Sequence, residues 1–438
     1  MGLSANQVRP VYFKEKERLA RKRYRSLWFV TSLLAFLLGL SIWLGLQQKL
    51  FRDISESRRL AALASSELDN SNVCTAILLA AAADDLKETN ESTEILSRIF
   101  KFDSRIEIYL NEHKSQICSI AFNNDSSLMA SISDDGLIYV WCTDTWQVKD
   151  RLATGVTNRN QALAFSNSSD LLCAATEDGQ GFVWKPQDQT NTDFRLVDKT
   201  RNRASEKRDP RNGKLAIEFS NDKLVVAFLG LRQIVHWSSK NAKFITVPIQ
   251  WPDAATFTRP AATTSQATMK NGVLFAGLSA NSGEAPIPVG VVASWNAETG
   301  KMLSALPTRT IEPRAIGVND RADIVFADSF NDRNFKGFSI FTVEPSGGIE
   351  EPKVDANVKL SGADDAVAIC FAGNQRVFSA HANNDIQMWE IGKDTVKSRF
   401  APFRGIRKPS CIAASQQLGV MAASNKFGEI CLLSLIHI

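Results

Sequence analysis

Between Ile117 and Trp141 the sequence ICSIAFNNDSSLMASISDDGLIYVW alternates short apolar runs with polar turns. Ile117–Phe122 is apolar at alternate positions, the period of a strand with one buried face. Residues 123–127 are polar and predict a turn. Leu128–Ser133 predicts a second strand, Asp134-Asp135-Gly136 a tight turn, and residues 137–141 a third strand. Asp-Gly between two apolar runs signals a hairpin, because glycine accepts the positive φ that tight turns require. Such a unit cannot bury both faces alone, so recurrence is the next question.

The pattern recurs. Residues 161–184 repeat it, with the turn at Asp178-Gly179. Residues 214–237, 267–295, 315–341 and 366–389 are weaker copies, and a seventh opens at Cys411. The aromatic that closes the third strand falls at 141, 184, 237, 295, 341 and 389. Intervals of about 43 to 58 residues suit a four-stranded unit plus a variable connection.

These residues resemble the WD-repeat family: Asp-Gly followed by a tryptophan in the third strand, with Glu112-His113 where the family has Gly-His. The resemblance implies an all-β fold, a seven-bladed WD-like β-propeller over residues 105–438. It also implies a buried hydrogen-bonded set tying each blade together. In the first repeat the matching positions are His113, Ser133, Asp135 and Trp141. The second matches at Thr176, Asp178 and Trp184 but has no histidine. Later repeats keep little beyond Trp237, Trp295 and Trp389, with His381 in the place of the blade Ser/Thr. No repeat tryptophan is followed by aspartate. Residues 106–110 alternate like a strand and are expected to close the propeller by pairing with the last blade, whose sequence offers three strands. A truncated last blade is the rival account.

Residues 1–26 form a basic N-terminal tail with Lys14, Lys16, Arg18, Arg21, Lys22, Arg23 and Arg25. Residues 27–46, LWFVTSLLAFLLGLSIWLGL, carry no charge. Twenty helical residues span about 30 Å, the hydrocarbon thickness of a bilayer, so a single transmembrane helix is expected. Trp28 and Trp43 lie where indole rings favour the headgroups. A cleaved signal peptide is the alternative, but no small-x-small site follows the run. Residues 47–104 read as a helical stalk, with a break at 69–72 and a third helix capped within 90–94. The ordered series of basic flank, span, SRRLAALASSEL, Asp-Asn-rich break, Ala/Leu-rich helix and repeat array resembles the C-terminal half of bacterial STAND-class signalling NTPases. The NTPase half has no counterpart: no G-x-x-x-x-G-K-[ST] occurs, and Gly300-Lys301 is followed by Met302.

Composition narrows the function. A net charge of +4 over 438 residues gives no global nucleic-acid footprint. The seven cysteines have no metal-ligand spacing and lie mostly in strand-like runs, as buried free thiols do. The four histidines are far apart, each carboxylate pair has a turn or helix-end explanation, and no nucleophile elbow, EF-hand loop or zinc spacing occurs. No catalytic, metal or cofactor residue is therefore assigned.

The segment 195–214 is read as an exposed inter-blade connection, and its Arg195, Lys199, Arg201, Arg203, Lys207, Arg208 and Arg211 form a candidate partner-binding loop. Residues 251–265 and 279–288 read as further long polar loops. The expected function is a membrane-anchored, non-catalytic interaction scaffold or sensor in signalling or assembly. Protein partners would dock on propeller loops, residues 27–46 would hold the membrane, and nucleic acid is not expected. A propeller enzyme with a central-channel site and a sensor fragment of a STAND-class NTPase are the alternatives. The basic flank places the N-terminus in the cytoplasm of a bacterial inner membrane and the propeller outside; the free thiols pull the other way.

Overall fold

The structure is a computed structural model. It describes residues 5–69, 73–102, 106–157, 161–166, 171–176, 179–188, 191–201, 215–220, 223–229, 232–238, 244–250, 260–261, 267–280, 289–307, 315–321, 324–331, 335–344, 346–349, 366–391, 396–398, 403 and 406–435. The chain divides into a helical unit, residues 1–69 with 75–99, and a β unit holding residues 100–438.

In the helical unit α1 runs unbroken over Ala5–Asp69, followed by α2 (Val73–Leu86) and α3 (Asn90–Phe102). One helix thus runs through the tail from residue 5, the span and the first part of the stalk read from the sequence. No proline lies between Glu15 and Asp69, and the isolated Gly39 and Gly45 cost only about 1 kcal/mol each. α1 is long and apolar enough to cross a bilayer by length and composition alone. A signal sequence near an N-terminus meets the same criterion, so this is weak evidence.

Further along, Ala61, Ala64 and Leu68 of α1, Ala76, Ala80 and Ala83 of α2, and Ile95 and Ile99 of α3 are buried. Ser57 Oγ donates to Lys87 O at 2.7 Å. The cap of α3 is Thr89, one residue before the expected stretch: Thr89 N donates to Ser92 Oγ (2.9 Å) and Ser92 N to Thr89 Oγ1 (3.2 Å). Arg98 reaches back to Ser65 (2.8 Å) and Asp69 (3.1 Å).

The β unit is a succession of antiparallel sheets, each built from one repeat. The first is Ile117–Phe122, Leu128–Ser133, Leu137–Cys142 and Gln147–Ala153 in sequential order. In three sheets the ladder to the outermost strand shifts register at the tryptophan, beside Trp141, Trp184 and Trp295, and the bulge adds local twist there. Separate apolar clusters join neighbours. Leu163, Phe165 and Phe182 meet Ala130, Ile132 and Val140 between the first and second sheets. Val420, Ala422, Ile430 and Leu432 meet Ile117, Met129 and Trp141 between the last sheet and the first, which closes the ring. Ile106–Leu110 completes that last sheet, with Tyr109 opposite Cys431 and Leu110 opposite Ile430.

The blade count is corrected from seven to six. Six sheets have the four or more strands of a full blade; the segment at Ile316–Val318, Ile324–Asn331 and Phe335–Thr342 forms a three-stranded sheet among the described residues. A repeat period counts hairpins, and this repeat keeps its hairpin with no paired outer strand among the described residues. The basic segment is also corrected. Asn191–Arg201 is a strand paired with Gln180–Asp188, Lys199 opposite Phe182 and Arg195 opposite Lys185. Arg203, Lys207, Arg208 and Arg211 lie outside the described residues. The two long loops are shortened as well, since Pro260 pairs with Ala280 and Ala261 with Ser279.

Candidate functional site

His113 sits in the segment entering the first sheet and is buried. Its Nδ1 lies 3.0 Å from Ser133 Oγ and its Nε2 2.8 Å from Ser131 Oγ. Trp141 Nε1 donates to Ser131 Oγ at 3.0 Å, and Ser133 Oγ donates to Asp135 Oδ1. One arrangement of protons satisfies all four contacts. Ser133 gives its proton to the carboxylate, so it accepts from His113 Nδ1–H. His113 Nε2 is then the acceptor for Ser131, whose oxygen accepts from the indole. Asp135 also receives Leu137 N at 2.9 Å, which fixes the turn. Ser131, the hub, was not singled out in the sequence.

The sixth-repeat sheet builds the same hub differently. Trp389 Nε1 donates to Ser379 Oγ at 2.8 Å, and Ser379 lies 2.8 Å from His381 Nε2. Here the imidazole comes from the strand itself, at the register position that Ser133 holds in the first sheet. Elsewhere the tryptophans differ. Trp295 Nε1 donates to Gln250 O at 2.8 Å. Trp184 is buried and stacks on Phe182, centroids 5.7 Å apart. Trp237 is buried, and Thr176 Oγ1 donates to Gln180 O at 3.4 Å. Asp178 lies outside the described residues.

Burial lowers the His113 pKa from 6.5 to about 4 against the opposing pull of Asp135 and a backbone hydrogen bond at Ser131. The imidazole is therefore neutral when folded, and the unfolded chain binds the extra proton between about pH 6.5 and 4. Stability falls as pH drops through that window, by about 3 kcal/mol at its lower end, and the loss levels off below it. Melting temperatures of wild type and His113→Gln between pH 4.5 and 7.5 check this. The advantage of the wild type is expected to shrink with acid, and a constant difference refutes the assignment.

These sheets surround an axis walled by their innermost strands. The chain was compared with known proteins on that basis. The WD40 family, described as WD domain, G-beta repeat, matches residues 105–142. The β-propeller domain of Cps50 (Swd1) from Myceliophteria thermophila superposes with a TM-score of 0.55 at 15% identity, covering 75% of this chain and 98% of that one. The fold is a β-propeller with a WD40 repeat. No curated protein matches the sequence.

The propeller's central cavity holds about 310 Å³. Its lining mixes polar and apolar groups and exposes more polar than apolar surface, with Cys118, Gln161, Ala216, Thr268, Ala368 and Ser410 contributed by different inner strands. Among the described residues no histidine or carboxylate lines it. Burial raises the thiol pKa values of Cys118, Cys173 and Cys370 well above the ordinary range and pushes Cys411 up to about 12. Such thiols stay protonated and are poor nucleophiles or ligands. Among the described residues no group of three or more His, Cys, Asp or Glu side chains could hold a metal ion.

One exposed spot has recognition chemistry. Phe427, in the turn between Val420–Asn425 and Ile430–Ser434, is 48% exposed. The Arg407 guanidinium lies 5.4 Å from its ring centroid and Lys408 Nζ 5.9 Å. Neighbouring Gly428 packs against the His113 carbonyl, so the patch sits at the same end of the strands as the first-repeat network. It is not legible in the sequence, because one phenylalanine in a turn carries no periodic signal.

Proposed function

We propose that this chain is a non-catalytic interaction scaffold or sensor module, anchored in a membrane by α1, whose propeller docks a protein partner in signalling or assembly. A WD40 propeller is consistent with a protein-interaction scaffold. The observation carrying the proposal is the division of chemistry in the β unit. Its buried polar hubs hold strands together, no histidine or carboxylate among the described residues lines its central cavity, and an aromatic flanked by cations faces outward at Phe427. Aromatic and arginine side chains dominate binding hot spots. An enzyme in the channel gains no support from such walls.

Membrane anchoring belongs to the same proposal. Residues 27–46 carry no charge, and the exposed side chains there include Trp28, Phe29, Phe36 and Trp43. Thr31, Ser32 and Ser41 turn their hydroxyls back onto carbonyls three residues earlier, at 3.0, 3.0 and 3.1 Å, which hides them from an apolar solvent. The basic flank supports a cytoplasmic N-terminus and an extracytoplasmic propeller; protease added to intact spheroplasts tests the side. Kinship with the C-terminal half of STAND-class signalling NTPases is supported by the order of segments, and a neighbouring reading frame with a phosphate-binding loop would strengthen it.

The scaffold reading is tested by placing a photo-crosslinking benzoylphenylalanine at Phe427 in the full chain in cells. A discrete adduct is expected there and not at exposed Glu298. No adduct, or the same diffuse labelling at both positions, counts against the reading.

A further inference from the structure

The turns that follow the innermost strands lie at the opposite end of the strands from Phe427, because each strand reverses direction. Residues 373–375 follow Ala366–Ala372, residues 416–419 follow Pro409–Ser415, and Arg321 lies beyond Ile316–Val318. Together they border an open cavity of about 750 Å³. Its polar rim is Arg321, Asn374, Gln375, Arg376 and Gln416, with Glu390 as its one carboxylate. The buried Leu435 closes one side.

Three features point to a ligand. Neither guanidinium has an ion-pair partner among the described residues, although Arg376 stands in register with Glu390. Asn374 Oδ1 is buried without a hydrogen-bond partner among those residues, an arrangement that is costly unless something donates to it. The donors are also held in place. Gly373, at φ +76°, has Gln416 Oε1 only 2.4 Å from where a Cβ would stand, so Gln416 rests on a backbone that only glycine leaves open. Gln375 O accepts Ile391 N at 2.8 Å, which pins its turn to the third strand.

We propose that this pocket takes an acidic segment of a protein partner, with a side-chain carboxylate on Arg321 and Arg376 and a peptide N–H donating to Asn374 Oδ1. Guanidinium forks match carboxylates, and the buried acceptor requires a donor, which an extended peptide carries beside its acid. A nucleic-acid strand fits less well, since no aromatic side chain lines the cavity to stack a base. The proposal rests on the scaffold reading and adds a second, chemically distinct face to it.

The test uses the purified full chain in detergent micelles and fluorescein-labelled hexaglutamate, with hexaglutamine as the neutral control, read by anisotropy. Hexaglutamate is expected to bind at least tenfold more tightly than hexaglutamine. The double variant Arg321→Gln/Arg376→Gln is expected to weaken it at least tenfold and Asn374→Ala about threefold, with melting temperatures unchanged. Lys149→Gln/Lys301→Gln, which removes the same charge elsewhere, should leave affinity within twofold. Equal binding of both peptides overturns the proposal, as does equal loss in the two double variants or tighter binding of a dT15 oligonucleotide. If hexaglutamate fails while the Phe427 adduct persists, the acidic-segment proposal falls alone; if both fail, the scaffold reading falls with it.

Discussion

Replacing Gly428 with alanine is expected to lower the melting temperature by about 5–10 °C. Gly428 has φ +92°, and a Cβ there would stand 2.3 Å from His113 O and 2.6 Å from its carbonyl carbon. Both obstacles are backbone, so no side chain can swing aside. The left-handed conformation costs a non-glycine residue about 1–2 kcal/mol and the forced shift about 1–3 kcal/mol more. Because one partner belongs to the last sheet and the other to the entry of the first, the collision falls on the seam. Gly155→Ala separates the two contributions: Gly155 has φ +72° and nothing within 4 Å of the added atom. Thermal unfolding of the two variants side by side is the measurement. An equal loss in both would show that the seam contact is slack and that backbone strain alone is at work.

Trp141→Ala is expected to cost about 3–5 kcal/mol, and Trp141→Phe about 1–2 kcal/mol. The indole is 2% exposed and joins Ile117, Met129 and Leu432 in the cluster between the last sheet and the first. Its removal therefore opens a cavity at the closure and also takes away the donor that Ser131 accepts. The phenylalanine variant keeps much of the volume and loses the donor, so the difference between the two isolates packing. Ser131→Ala supplies the complement, since it strands two buried groups, the indole N–H and the His113 acceptor. If Trp141→Phe proves as damaging as the alanine variant, hydrogen bonding and not packing governs the site.

The hairpins were legible because their signals are local. Asp134-Asp135-Gly136 and the alternation on either side lie within one stretch of chain. Ser131 was not legible. It is one serine among several in its run, and its role depends on Trp141 and His113 being brought to it by register and by closure. The three-stranded sheet, counted among the described residues, escaped for a related reason: Phe341 keeps the period, and the period is silent on whether an outer strand pairs. The segment 195–214 reads as an exposed connection since its cations crowd the pattern, yet Leu196 and Thr200 sit on a strand that Gln180–Asp188 pins. The segment bounds at residues 27 and 46 mark a change of composition, and α1 runs across both. Composition changes the solvent a helix prefers without ending its hydrogen-bond ladder.

The hub at Ser379 has an implication for how this chain can be altered. The first sheet borrows its imidazole from an incoming connection, which must keep His113 in place and is tied to the sheet for that reason. The sixth-repeat sheet carries its own imidazole on the strand, at His381. Two adjacent strands thus hold both hydrogen bonds to Ser379, so this lock is altered by substitutions within one hairpin, whereas the lock of the first sheet is altered from outside its hairpins as well.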